Sequence, residues 1–165
     1  MAIAIDEGTA IAEQVNEHLQ TYLAAKLTAL ESEYLTDPIT IEPLPLSNYH
    51  LNQVQVPPNF PLVCTYSEST DKLPQGVGAQ QEDFEYHYLV VALAVTANQQ
   101  EDRIKRYASR LLRAFQEILH EHSTLTGQIS YLFLLRKAYL PLIVLDSALL
   151  QEAQLHLMTA SVREF

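Results

Sequence analysis

The stretch from Phe84 to Thr96 constrains the fold more than any other part of the chain. Phe84, Tyr86, Tyr88, Val90, Ala92 and Ala94 alternate with Glu85, His87, Leu89, Val91, Leu93 and Val95. Alternation with period two marks a strand, and a second half that is apolar on both sides requires cover on both. The run is therefore expected to be the central strand of a sheet. A helix follows almost at once, with Ile104, Tyr107, Ala108, Leu111, Leu112, Phe115, Ile118 and Leu119 forming one apolar stripe. Asn98 and Glu101 give it a capping-box start, and Gly127 marks its far end.

Upstream, residues 9 to 35 read as a long amphipathic helix. Ile11, Val15, Leu19, Tyr22, Leu23, Leu27, Leu30 and Tyr34 line one side. Thr9 is its expected N-cap, and Asp37-Pro38 stops it. Six of the eight prolines fall between Pro38 and Pro61, so Ile39 to Ile41 and Tyr49 to Val56 are expected as short, irregular edge strands. Leu62 to Tyr66 is a further strand. Ser67 to Glu82, polar and containing Pro74, Gly76 and Gly78, is expected to be a flexible loop or hairpin. Downstream, Ile129 to Leu135, Leu140 to Leu145 and Gln151 to Val162 read as strands. The order predicts an α+β fold in which a mainly antiparallel sheet packs against two amphipathic helices, with residues 1–165 as a single domain. At this length the chain is expected to bury roughly 70% of the surface its unfolded form exposes.

Several classes of chemistry lack the residues they need. Four scattered glycines build no phosphate loop, and no Gly-x-Ser-x-Gly elbow occurs. The single cysteine, Cys64, excludes an internal disulfide and a cysteine-based zinc site, and its apolar surroundings predict a buried side chain. Glu117 and His120 share a helix face at the spacing of half a di-iron site, but the second half is missing. His87 is expected to be a hydrogen-bonded sheet residue, since a base without a partner makes no mechanism. No catalytic, cofactor or metal residue is assigned. The N-terminus has no secretory signature, and no apolar run reaches the ~20 residues of a membrane span, so a soluble, reducing setting and no membrane partner are expected.

The unusual feature is a basic stripe. Half of the ten Lys and Arg residues fall between Arg103 and Arg113, in a chain of formal net charge −10. On a helix, Arg103, Arg106, Arg110 and Arg113 occupy a sector about 80° wide, opposite the apolar stripe. Glu101 and Asp102 can answer Lys105 and Arg106 one turn on. The arginines nevertheless begin at the positive end of the helix dipole, where cations are disfavoured. A solvated face is one reading. A contact with carboxylates of a neighbouring copy is favoured over it, and nucleic-acid phosphate is the rival partner.

This succession resembles the tail-terminator (tail-completion) and neck proteins of tailed phages and contractile injection systems. The likeness lies in the order of elements: a long first helix, Pro-rich extended segments, and a strand like Phe84-Glu85-Tyr86-His87-Tyr88-Leu89-Val90-Val91. A helix like Arg103 to Leu119 and a final strand like Ala153 to Ala160 complete it. The resemblance implies a virion protein without enzymatic activity, forming a homohexameric ring that ends the tail tube. Its partners would be the tube protein, the sheath and the neck or head-closure proteins, with DNA only in transit. A head–tail joining or connector protein of similar fold, and a small nucleic-acid-binding module, are the alternatives.

Overall fold

The computed structural model describes residues 8–34, 44–51, 60–75, 82–97, 101–145 and 148–164. Helix α1 (Gly8–Glu31) leads into a 3-10 turn (Ser32–Tyr34) and, later, the short strand β1 (Tyr49–His50). Strands β2 (Leu62–Gln75) and β3 (Glu82–Ala97) precede helix α2 (Glu101–Glu121). Strands β4 (Tyr131–Tyr139), β5 (Ile143–Leu145) and β6 (Ala148–Glu164) complete the order. The fold is α+β, with two helices and, among the described residues, a six-stranded mixed sheet ordered β1-β2-β3-β6-β4, in which β5 also pairs with β6. Among the described strands only β1 and β2 run parallel, and the other pairings are antiparallel.

Strand β3 is central, as its pattern requires, flanked by β2 and β6. Its register with β6 runs without interruption from Glu82 opposite Glu164 to Ala97 opposite Leu149. Paired residues point to the same side of a sheet. Leu89, Val91 and Leu93 therefore share a face with Leu157, Leu155 and Ala153, and β2 adds Val63 opposite Leu93. Both helices pack on this face. Ile11, Val15, Leu19 and Leu23 of α1 meet it beside Ile104, Leu111, Leu112, Phe115 and Ile118 of α2 in one core. The other face, with Tyr86, Tyr88, His156 and Met158, is half-buried.

The structure departs from the sequence expectations at several points. Helix α1 already includes Gly8 and Thr9, so Thr9 lies in the first turn instead of capping it. Tyr22, placed in the apolar stripe, is 37% exposed because it sits at the flank and stacks on His122 (centroids 4.0 Å apart). Ser67 to Gln75 continues β2, paired with β3 past a bulge at Ser67/Ser69, so the strand expected to end at Tyr66 runs on to Gln75. Backbone pairing outweighs the polar side chains there. Helix α2 ends at Glu121, ahead of Gly127. Leu125, Thr126 and Gly127 all take positive φ (47°, 59° and 81°) in the turn that follows. Full burial of the Leu125 side chain in the core compensates for its left-handed backbone. The expected strand at 39–41, most of 49–56, the stop at Asp37-Pro38 and the cap at Asn98 lie outside the described residues.

Periodicity also missed a buried polar joint. Asn16 faces inward on α1; its Nδ2 donates to the His50 carbonyl (3.1 Å), and its Oδ1 accepts from Thr65 Oγ1 (2.5 Å). One amide thus ties α1 to β1 and β2. Asn48 Nδ2 donates to the Pro61 carbonyl (2.9 Å) on the same side. Removing a buried hydrogen-bonding group leaves its partners unsatisfied, at about 1–3 kcal/mol. Asn16→Ala is expected to lower unfolding stability by about that amount, read by urea denaturation, and Asn16→Leu should not restore it.

Tyr49 supplies a pH prediction. Burial pushes its phenol up to about 12, from an ordinary value of 10.0. The folded state then holds this proton more tightly than the unfolded chain does, so the contribution is complete below pH 10 and is lost as pH rises through about 12. Tyr49→Phe is expected to flatten the alkaline loss of stability across that window, measured by thermal melting at stepped pH.

Candidate functional site

The arginine stripe lies on the outer side of α2, and the structure divides it. Arg103 and Arg106 are exposed near the start of the helix, whereas Arg110 is only 9% exposed. The Arg110 guanidinium lies 4.0 Å from the centroid of the Tyr34 ring. Arg113 Nη2 donates to Glu33 Oε2 (2.6 Å), Nη1 to the Tyr34 hydroxyl (2.9 Å) and Nε to Glu117 Oε1 (3.1 Å). Glu33 above all, then Tyr34 and Glu117, raises the Arg113 pKa. One turn beyond, Lys26 of α1 pairs with Glu121, and this ammonium holds the Glu121 carboxyl below its ordinary range. The acidic partner inferred for the stripe is thus supplied for Arg113 by Glu33 and Glu117 of the same chain, while Arg110 lies over the Tyr34 ring. The side chains of Glu101 and Asp102, expected to pair with Lys105 and Arg106, lie outside the description.

Arg110 and Arg113 abut the 3-10 turn that continues the C-terminal end of α1, a helix with no basic residue in its own last turn. The negative end of α1 favours cations, so the neighbouring helix stabilises the later half of the stripe, Arg110 and Arg113, and leaves Arg103 and Arg106 at the start of α2 outside that contact. Sequence reasoning singled out these arginines but not Tyr34 or Glu33 as their partners. The pairing spans about eighty positions, and no local periodicity reports it.

A second polar group lies on the helix-covered face of β3. Glu85 and His87, 6% and 1% exposed, sit two residues apart and so point the same way. His87 Nδ1 is 2.9 Å from Thr70 Oγ1. Its Nε2 is 3.3 Å from Glu85 Oε1, a close approach without hydrogen-bond alignment. An acid, an imidazole and a hydroxyl in sequence invite comparison with a nucleophilic triad. Here, however, the start of α1 closes over the imidazole. A Cβ at Gly8 would fall 2.3 Å from Ser67 Oγ and 3.4 Å from His87 Nδ1. A base sealed beneath a helix cannot reach a substrate, and the arrangement serves the sheet, as expected of His87.

Two surface hollows border other regions. One, about 240 Å³, lies on the open sheet face between Leu62, Cys64, Ala92 and Gln154. The second, about 590 Å³, runs between α2 and the end of β4, lined by Lys105, Arg106, Ser109, Tyr139 and Leu142. Tyr139 Oη is 3.4 Å from Ser109 Oγ across it. Among the described residues, no group of three or more His, Cys, Asp or Glu side chains is placed to hold a metal ion, and no helix is long and apolar enough to cross a membrane. Glu117, considered above as half of a metal pair with His120, is engaged by Arg113.

The surface with a distinctive character is thus the strip from the exposed start of α2 to β4 and β5, basic on one side and apolar on the other. No protein-family model matches the chain, and no curated protein matches it in sequence.

The divided stripe predicts a graded mutational series. Arg110→Ala removes a ring contact and buried stem and is expected to cost about 1–2 kcal/mol. Arg113→Ala, at a half-exposed site, is expected to cost about 0.5–1 kcal/mol. Arg103→Glu should stay within about 0.5 kcal/mol of the parent. Urea unfolding of the three variants checks the ranking.

Proposed function

We propose that this chain is a structural subunit of a phage-type tail, a tail terminator that closes the tail tube as a homohexameric ring in the virion and joins it to the neck. Its action is geometric: a ring caps tube growth, offers a platform to tube, sheath and head-closure proteins, and leaves a central passage for DNA. A net charge of −10 suits a channel wall that DNA must cross without adhering.

The observation that carries this reading is a sheet whose helices all lie on one face. Large apolar side chains are exposed along one end strand, as a subunit built for lateral contacts requires. The element order, from a long helix through a β-hairpin and an amphipathic helix to a long final strand, supports the same reading. A head–tail joining protein of like architecture is the nearest variant. The nucleic-acid-binding alternative is weakened by Arg110 and Arg113, whose charges are engaged within the chain and which it would need on phosphate.

Solution mass by multi-angle light scattering over a range of concentrations, followed by negative-stain imaging, tests the proposal. Rings with a central hole are expected. A monomer that binds DNA at low salt and releases it as salt rises would replace the ring with the binding module.

A further inference from the structure

Five of the seven large hydrophobic residues exposed among the described residues lie on two strands: Phe133, Leu135 and Tyr139 of β4, and Ile143 and Val144 of β5. Val144 is 73% exposed. Both strands run along the outer side of β6, whose other side is taken by β3. Among the described residues no strand pairs with the outer side of β4, so its backbone donors and acceptors form an open edge. Natural edges of this kind are guarded by bulges and charges. β4 carries both, a register shift between Leu134 and Arg136 and the exposed cations Arg136 and Lys137. Neither cation has a carboxylate partner among the described residues.

The opposite margin of the sheet is its complement. β1 pairs with β2 only at Val63 and Cys64. Beyond Cys64 no described strand lies on that side of β2, and exposed there are Glu68, Ser69, Thr70 and Asp71. One sheet therefore ends in a basic, apolar edge on one side and an acidic, polar edge on the other. Identical copies meeting edge to edge in the same sense form a heterologous contact, the type that closes into rings. A like-with-like contact would instead set cation against cation, or carboxylate against carboxylate.

We infer that β4 of one copy pairs with the portion of β2 around Glu68 to Asp71, where no described strand lies beside it, in the next copy, so that the sheet continues from subunit to subunit. Arg136 and Lys137 select the acidic edge, and main-chain hydrogen bonds between the strands hold it. Phe133 and Leu135 are covered as the edges meet. The inference rests on the ring reading of the preceding subsection and names the surface through which that ring would form.

Complementary charge reversal tests it. R136E/K137E makes both edges acidic, and E68K/D71K makes both basic. All four positions are exposed, and circular dichroism with thermal melting checks that each variant keeps the fold. Each variant alone is expected to associate at least about tenfold more weakly than the parent by light scattering. An equimolar mixture is expected to assemble again, because each acidic edge then faces a basic one. If either variant alone assembles like the parent, this edge pairing is wrong, while the ring reading stands through another face. Two dissociated variants that stay apart when mixed also overturn the pairing. A parent protein that remains monomeric at every concentration overturns both the pairing and the self-closing ring.

Discussion

The unbroken register between β3 and β6 is the constraint on which the other elements depend. Sixteen consecutive pairs run from Glu82/Glu164 to Ala97/Leu149. They set Leu89, Val91 and Leu93 beside Leu157, Leu155 and Ala153 on a single face. A slip of β6 by one residue against β3 would turn Leu157, Leu155 and Ala153 toward the open side and bring His156 and Met158 beneath the helices. The helices have no other surface to cover. Phe115, Leu111, Leu112 and Ile118 of α2 are fully buried only because this face is presented to them, with Ile11, Val15 and Leu19 of α1 alongside.

Around that core, polar contacts decide orientation more than stability. The helices run side by side in opposite senses, with three ties along their length. His18 meets Thr126 (3.0 Å), Lys26 meets Glu121, and Glu33 with Tyr34 meets Arg113 and Arg110. Single polar contacts near the surface contribute little each, but a helix shifted by one turn would leave all three unmatched. Asn16 acts similarly at greater depth, because its amide has one arrangement that satisfies both His50 and Thr65. Buried polar groups left unpaired are costly, and this makes such joints selective.

Among the described residues, the sheet is thus covered by helices on one face and has unpaired strand margins. The basic, apolar margin is continuous with the exposed start of α2 through the hollow lined by Lys105, Arg106 and Tyr139. The arginine stripe is therefore divided along its length. Its later members fasten α2 to the end of α1, and Arg106, one of its earlier members, borders this hollow.

Much of the architecture was legible from side-chain period alone. The alternation at Phe84 to Thr96 and the stripe from Ile104 to Leu119 sufficed for a central strand, an adjoining helix and the α+β class. These patterns are local, and burial of one face enforces them whatever lies opposite. The sequence also singled out the four arginines, from their clustering against an acidic background. It could not assign their partners: Tyr34 and Glu33 come within reach of Arg110 and Arg113 only once α1 lies against α2. The inward turn of Asn16, the enclosure of Glu85 and His87, and the extension of β2 through Ser67 to Gln75 were likewise decided by tertiary contact. Each sets a polar residue against its own hydropathy, and only hydrogen bonds from distant segments make that arrangement stable. The identity of the sheet's open edges belongs to the same class, since strand order is a property of pairing and no single strand's composition contains it.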